Sequence, residues 1–148
     1  MRGGLPYFEL LEKLIDQATI SIHLQVYIFD EDDTGMRITQ ALIRAASRRV
    51  SVYLLLDGYA SGSLSAAFIT QLQQAGIHFR WFEPLLKSRK FYIGRRMHHK
   101  IFVADGLHSL VGGINISNHY YDMPDRSGWL DCAAYVTGDV STELYRRC

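Results

Sequence analysis

The chain has 148 residues, of which 48% are hydrophobic and 21% charged, a composition typical of one ordinary folded domain. Sixteen Lys and Arg residues against fifteen Asp and Glu give a formal net charge of +1, so no overall basic excess favours wrapping nucleic acid. No apolar run reaches the roughly 18 residues of a membrane span, and the first residues do not resemble a secretion signal. This composition excludes disordered, collagen-like and solenoid chains.

Two cysteines are too few for a disulfide framework or a zinc site, which favours a reducing compartment. Cys132 lies in an apolar run and is predicted to be a small core residue. Residues 139–148 have the pattern of a helix with no Gly or Pro to end it before Cys148. We therefore expect the chain to be a piece of a longer protein.

Hydrophobic periodicity predicts helices and strands that alternate in the first half of the chain. The strongest signal is residues 19–29, where apolar and other side chains alternate with the two-residue period of a strand. The predicted helices are 6–18, 36–49 and 64–75, and the predicted strands are 19–29, 50–56 and 77–82. Strands separated by helices in this way favour a parallel sheet.

The second half of the chain predicts further strands, 97–104, 109–112 and 130–137, and a terminal helix. The pair Asp105-Gly106 splits the first two strands and is typical of a hairpin turn. The expected fold class is therefore α/β, with a mixed β-sheet flanked by helices.

The segment from His98 to Asp105 contains His-x-Lys followed after four residues by Asp. On a strand, His98 and Lys100 would project from one face, and His99 would point towards the core or a helix. A nucleophile would then lie beside a fixed cation. An exposed polar pair on a strand is the alternative for His98 and Lys100, and a purely conformational turn role is the alternative for Asp105.

A second motif begins seven residues after Asp105, with the sequence Gly-Gly-Ile-Asn-Ile-Ser. Gly112 and Gly113 would let the backbone approach a bound group, and Asn115 and Ser117 offer uncharged donors. A phosphodiester needs a nucleophile, a positive charge and such donors around phosphorus. The two motifs together predict chemistry on a phosphodiester, although the glycines alone could be turn residues.

The two motifs resemble the signature of the phospholipase D superfamily. Three further segments extend the resemblance to the amino-terminal half of bacterial cardiolipin synthases: Tyr27-Ile28-Phe29-Asp30, Leu55-Leu56-Asp57-Gly58 and Trp129-Leu130-Asp131. The resemblance implies that residues 1–148 are a single phospholipase D-like domain, one half of a phospholipase D fold and the amino-terminal half of a longer two-domain enzyme.

The resemblance also implies a role for each motif residue in an enzyme that needs no metal or other cofactor. His98 would be the phosphohistidine nucleophile, Lys100 and Asn115 would hold the nonbridging oxygens, and Asp105 would orient and support the catalytic set. Asp131 would accept a hydrogen bond from His98 and fix its tautomer. Gly112, Gly113 and Ser117 would contact the substrate.

The family needs two such motifs, because a second His protonates the leaving oxygen, and this chain has one. A second half of the same protein or a homodimer mate must then complete the site. The implied reaction is phosphatidyl transfer to phosphatidylglycerol, giving cardiolipin and glycerol. The alternatives are a single-motif phosphodiesterase or nuclease acting as a homodimer, and an inactive half-domain that binds phosphate or a partner.

Residues 80–100 carry seven Lys and Arg and one Glu, interleaved with aromatic residues. Such a segment favours binding to an anionic membrane surface, where Arg95 and Arg96 would contact the substrate headgroup. The alternative is a solvated loop. The remaining residues have a net negative charge, which makes nucleic acid a poor partner. We expect a peripheral protein on the cytoplasmic side of a bacterial membrane.

Two other polar groups have structural interpretations. The acidic residues 30–33 precede a predicted helix and favour capping of its amino end over cation binding. His23, Gln25, Tyr27 and Phe29 share one face of the first predicted strand. We expect them to form a packing layer beneath the site.

Overall fold

The computed structural model describes residues 4–82, 96–122 and 126–148. The helices are α1 (Leu5–Gln17), α2 (Asp33–Ser47), α3 (Ala66–Gln74) and α4 (Asp139–Arg147). The strands are β1 (Ser21–Val26), β2 (Ser51–Asp57), β3 (His78–Phe82), β4 (Lys100–Ala104), β5 (His108–Gly112) and β6 (Ala133–Thr137). A 3₁₀ turn covers Asn118–Tyr120. Within the described ranges, no helix has the length and apolar character needed to cross a bilayer.

The six strands form one mixed sheet in the order β3-β2-β1-β4-β5-β6. β1, β2 and β3 are parallel, as expected from the helices that connect them, and β4, β5 and β6 pair antiparallel. The predicted class, a mixed sheet flanked by helices, is confirmed.

The hydrophobic core lies between one face of the sheet and the helices α1, α2 and α3. The apolar stripes of these helices and the even-numbered residues of β1 belong to the same core cluster. Fully or nearly fully buried members include Phe8, Leu11, Ile15, Ile22, Leu24, Ile38, Leu42 and Leu54. On the opposite face, α4 packs against β4, β5 and β6, and the Ser109 and Ser141 hydroxyls are 2.6 Å apart.

Several sequence predictions about individual residues are wrong. β4 begins at Lys100, so His98 and His99 precede the strand, and His99 is exposed instead of facing the core. Cys132 is also exposed, because β6 begins only after it. Phe29 is fully buried, since β1 ends at Val26 and the two-residue alternation ends with it.

Asp32, one of the acidic residues 30–33, caps α2, as predicted. The Asp32 carboxylate accepts a hydrogen bond from Gly35 N at 3.0 Å, which satisfies a backbone donor that the first turn leaves open. With this cap, α2 begins at Asp33, three residues before the predicted start.

Asp105, which follows the last residue of β4, is hydrogen-bonded to the residues at the beginning of β1. Its carboxylate accepts hydrogen bonds from Thr19 N, Thr19 Oγ1, Ile20 N and Ser21 N, at distances from 2.8 to 3.1 Å. Asp105 and Gly106 both have positive φ, of 54° and 67°, as a tight hairpin turn requires. The structure therefore gives Asp105 a supporting and conformational role.

These hydrogen bonds predict a pH-dependent contribution of Asp105 to stability. Burial alone would raise the pKa of this carboxyl, but the hydrogen bonds from Ser21, Thr19 and Ile20 outweigh it and hold the pKa below its usual value. The stabilisation is then present above the unfolded pKa of about 3.9 and is lost as the pH falls through the lower folded pKa. Asp105→Asn should lower the free energy of unfolding by about 2 kcal/mol at pH 7.

Urea denaturation of the wild-type protein and of Asp105→Asn at pH 7 and pH 3 measures this effect. The difference between the two proteins should shrink at the lower pH as the wild-type carboxylate is protonated. A difference that stays constant between the two pH values would show that the charge of Asp105 does not stabilise the fold.

Candidate active site

The predicted site residues meet at one edge of the sheet because of the strand directions. β1 and β2 end there, whereas the antiparallel β4 begins there, so Val26 pairs with Lys100. β5 ends and β6 begins at the same edge, where Gly112 pairs with Ala133. His98, the Gly-Gly loop and Asp131 are therefore brought to a common edge from three separate segments. Asp105, after the opposite end of β4, lies outside this cluster.

Lys100 is the central cation of this edge and is only 5% exposed. Its Nζ donates a hydrogen bond to the His98 carbonyl oxygen at 3.0 Å and lies 5.1 Å from the centroid of the Tyr27 ring. Burial lowers the pKa of Lys100, and the charge of Asp131 acts in the opposite direction. The ammonium thus contacts a carbonyl oxygen and an aromatic ring, and the charge of Asp131 also favours its protonated form.

His98 is exposed, and its imidazole packs against the Tyr27 ring with the ring centroids 4.9 Å apart. His98 is not paired in the sheet, because the backbone that follows β1 is hydrogen-bonded to another segment, residues 115 and 116. Ile28 N donates to Asn115 Oδ1, and Ile28 O accepts from Ile116 N, each at 3.0 Å. Tyr27 therefore contacts both His98 and Lys100 as a packing residue beneath the site, but Phe29 does not share this layer because it is buried in the core.

The charge of Asp131 acts on Lys100, but Asp131 is not hydrogen-bonded to His98 in the described part of the structure. Its Oδ1 accepts from Cys132 N at 2.7 Å, and its carboxylate fills the space where a Gly113 side chain would be. A Cβ on Gly112 would likewise overlap the backbone of Cys132 and Ala133. Because they have no side chains, the two glycines leave room for residues 131–133 to pack against them. Local sequence patterns did not predict this packing role.

Asn115 and Ser117 are buried and hold the loop in shape. Asn115 Nδ2 donates to the Tyr120 hydroxyl at 2.8 Å, and this amide has a second hydrogen that could bind an anion. Ser117 Oγ accepts from His119 N at 3.2 Å and caps the 3₁₀ turn. Its own hydroxyl hydrogen remains a possible donor.

Asn118 links this loop to the beginning of α2. Its Oδ1 accepts from Thr34 N and Thr34 Oγ1 at 3.0 and 2.7 Å, and its N–H donates to Asp32 Oδ2 at 2.6 Å. Sequence reasoning missed this residue, because nothing local to residue 118 indicates a partner more than 80 residues away. The interaction fixes the position of the loop before a substrate arrives.

The basic residues before His98 are described only in part. The Arg96 guanidinium lies 4.4 Å from the centroid of the exposed Tyr59 ring, and Arg95 lies outside the described residues. Within the described ranges, no group of three or more His, Cys, Asp and Glu side chains is arranged to hold a metal ion.

Comparison with solved structures identifies proteins of the same fold. The Nuc protein of Salmonella typhimurium, a phospholipase D family member, matches with a TM-score of 0.71 and 20% identity over 99% of this chain and 89% of that one. A phosphatidylserine synthase of Haemophilus influenzae matches with a TM-score of 0.73 and 18% identity, over 95% of this chain and 33% of that one. At these identities the likeness concerns the fold alone.

Comparison of sequences identifies much closer relatives. Cardiolipin synthase B of Salmonella typhi is 36% identical over 97% of this chain, and that of Escherichia coli K12 is 34% identical over the same share. This chain spans 35% of the length of either protein. A family model described as "Cardiolipin synthase, PLD-like domain" matches residues 11–130. The chain therefore belongs to the family of phospholipase D-like domains found in cardiolipin synthases.

Proposed function

We propose that this chain is the amino-terminal catalytic half of a phosphatidyltransferase of the cardiolipin synthase type. The observation that carries the proposal is the placement of His98 and Lys100 against the Tyr27 ring. The identity of 34 to 37% to cardiolipin synthases over nearly the whole chain supports the substrate class.

In the proposed first step, an imidazole nitrogen of His98 attacks the phosphorus of a phospholipid phosphodiester. A P–N bond forms, the P–O bond to the headgroup alcohol breaks, and the alcohol leaves with a proton from a second His. Lys100 and the remaining N–H of Asn115 stabilise the charge that develops on the nonbridging oxygens. Arg95 and Arg96 contact the headgroup.

In the second step, a hydroxyl of phosphatidylglycerol attacks the phosphohistidine phosphorus. The P–N bond breaks, the second His takes the hydroxyl proton, and cardiolipin is released. If phosphatidylglycerol is also the first substrate, the alcohol lost in the first step is glycerol, and the reaction balances.

The second His comes from another copy of the motif, because one imidazole cannot be nucleophile and leaving-group acid on opposite sides of phosphorus. We propose that a second half of the same protein, or a homodimer mate, supplies it. We also propose that the protein works at an anionic membrane surface, on the cytoplasmic side of a bacterial membrane.

The covalent step is tested with His98→Asn, which removes the nucleophile. With the second copy of the motif present, incubation with phosphatidylglycerol labelled at phosphorus should place an acid-labile phosphatidyl group on wild-type His98 and leave the variant unlabelled at this position. His99→Asn, which changes the exposed neighbour, is the matched control and should still be labelled. Label trapped on a different residue of the wild-type protein would contradict the assignment.

The choice between transferase and nuclease is tested with the same proteins. Formation of cardiolipin and glycerol supports phosphatidyl transfer. Cleavage of DNA with no cardiolipin formed would support the single-motif nuclease instead, and water as the only acceptor would make the protein a phospholipid hydrolase.

Charge stabilisation is tested with Lys100→Ala. The His98 imidazole is kept, but the buried ammonium and its hydrogen bond to the His98 carbonyl oxygen are lost, so kcat should fall by at least about 10²- to 10³-fold, as for the loss of one preorganised donor. Lys13→Ala removes an exposed lysine of α1 and should change kcat less than twofold. Equal kcat values for the two variants would refute the role of Lys100.

Membrane approach is tested by replacing Lys87, Arg89 and Lys90 with Gln. Each basic residue near an anionic surface contributes about 1 kcal/mol, so binding to phosphatidylglycerol vesicles should weaken by roughly 10²-fold and depend on salt. Replacement of the exposed Arg49, Arg146 and Arg147 removes the same charge elsewhere and should weaken vesicle binding much less. Equal losses in both variants would indicate only a net-charge effect.

A further inference from the structure

The turn after β2 holds the backbone immediately before the candidate nucleophile. Asp57, the last residue of β2, is 1% exposed. Its Oδ2 accepts a hydrogen bond from Met97 N at 2.9 Å, and its Oδ1 accepts from Tyr59 N and Ala60 N, each at 3.0 Å. Met97, which directly precedes His98, is also buried. One buried carboxylate therefore joins the turn to the segment that carries the nucleophile.

The same turn holds the residue on which the His98 ring lies. Ser61 is fully buried, and its Oγ accepts from Phe29 N at 2.9 Å and donates to the Tyr27 carbonyl oxygen at 3.0 Å. The Tyr27 ring in turn packs against His98. Asp57 and Ser61 thus fix both the backbone before His98 and the backbone of its aromatic support.

His98 needs such support because the sheet does not hold it. The ladder between β1 and β4 begins with the Val26 and Lys100 pair, and the next positions of β1 bond to the loop around residue 116. The contacts of His98 in the described structure are its carbonyl bond to Lys100 and its ring contact with Tyr27. A displacement of about 1 Å at a reacting group can cost about 10²-fold in rate.

We propose that Asp57 is a positioning residue for His98 and that Ser61 assists by fixing Tyr27. The inference rests on the proposed function, since it concerns the nucleophile of that reaction. Neither side chain touches the substrate. Both act through backbone hydrogen bonds that set where the imidazole lies relative to the phosphorus.

The test is Asp57→Asn, which keeps the size of the side chain. An amide has one oxygen, so it cannot accept from Met97 N and from the Tyr59 and Ala60 donors as the carboxylate does. In protein that circular dichroism shows to be folded, kcat and the rate of phosphohistidine formation should fall by about 10²-fold, while KM changes less than threefold. Hydrogen exchange at the Met97 amide should be faster than in the wild-type protein.

Glu31→Gln is the matched control. Glu31 accepts hydrogen bonds from Ser65 N and Ser65 Oγ at 2.8 and 3.0 Å, so it supports the other end of the same loop without reaching His98. This variant should keep kcat within twofold of the wild-type value. Ser61→Ala provides a second test should Asp57→Asn fail to fold, and its kcat should fall severalfold with little change in KM.

The outcomes separate this inference from the proposed function. Wild-type kcat in folded Asp57→Asn, or in Ser61→Ala where Asp57→Asn does not fold, overturns the positioning role and leaves the proposed function intact. An equal loss of kcat in Glu31→Gln also overturns it, because any disturbance of the loop would then suffice. A wild-type protein that forms no phosphohistidine when the second copy of the motif is present overturns the proposed function and this inference with it.

Discussion

A buried ammonium group at the beginning of β4 is the constraint around which this edge of the sheet is organised. A charged side chain that leaves water is stable only with compensating partners. Lys100 has three: the His98 carbonyl, the Tyr27 ring and the charge of Asp131. Each partner comes from a different segment, and the sheet order places β4 between the strands that bring them.

Most polar side chains near this cation maintain the shape of the site. Asn115 bonds to Ile28 and Tyr120, Ser117 caps the 3₁₀ turn, and Asn118 joins the loop to α2. Their donors and acceptors are therefore already oriented before any phosphate binds. Preorganisation of this kind avoids the rearrangement that water would undergo as charge develops in a transition state.

The sequence predicts the parts of this structure that depend on local periodicity. The alternation along residues 19–29 and the apolar stripes of the helices correspond to observed elements, because burial of one face dictates both patterns. The motif residues His98, Lys100, Asn115 and Asp131 do lie at one edge, where strand direction places them. Their catalytic roles remain predictions.

Features that depend on distant partners could not be predicted in this way. His98 precedes the strand because Asn115 and Ile116, and not His98, are hydrogen-bonded to the backbone of Ile28. The residues near position 98 do not indicate this pairing. The same holds for Gly113, whose missing side chain makes room for Asp131. Phe29 turns into the core where β1 ends, and Ser61 fixes its N–H from a separate loop.

The hydrogen bonds between Asp105 and the beginning of β1 explain the spacing between Lys100 and Asp105 in the motif. Lys100 pairs with Val26 at one end of β1, and Asp105 N donates to Ser21 O at the other. The four residues between Lys100 and Asp105 therefore span β1. One residue more or fewer would shift the register and turn Lys100 to the opposite face of the sheet. The length of a neighbouring strand thus sets the spacing between Lys100 and Asp105.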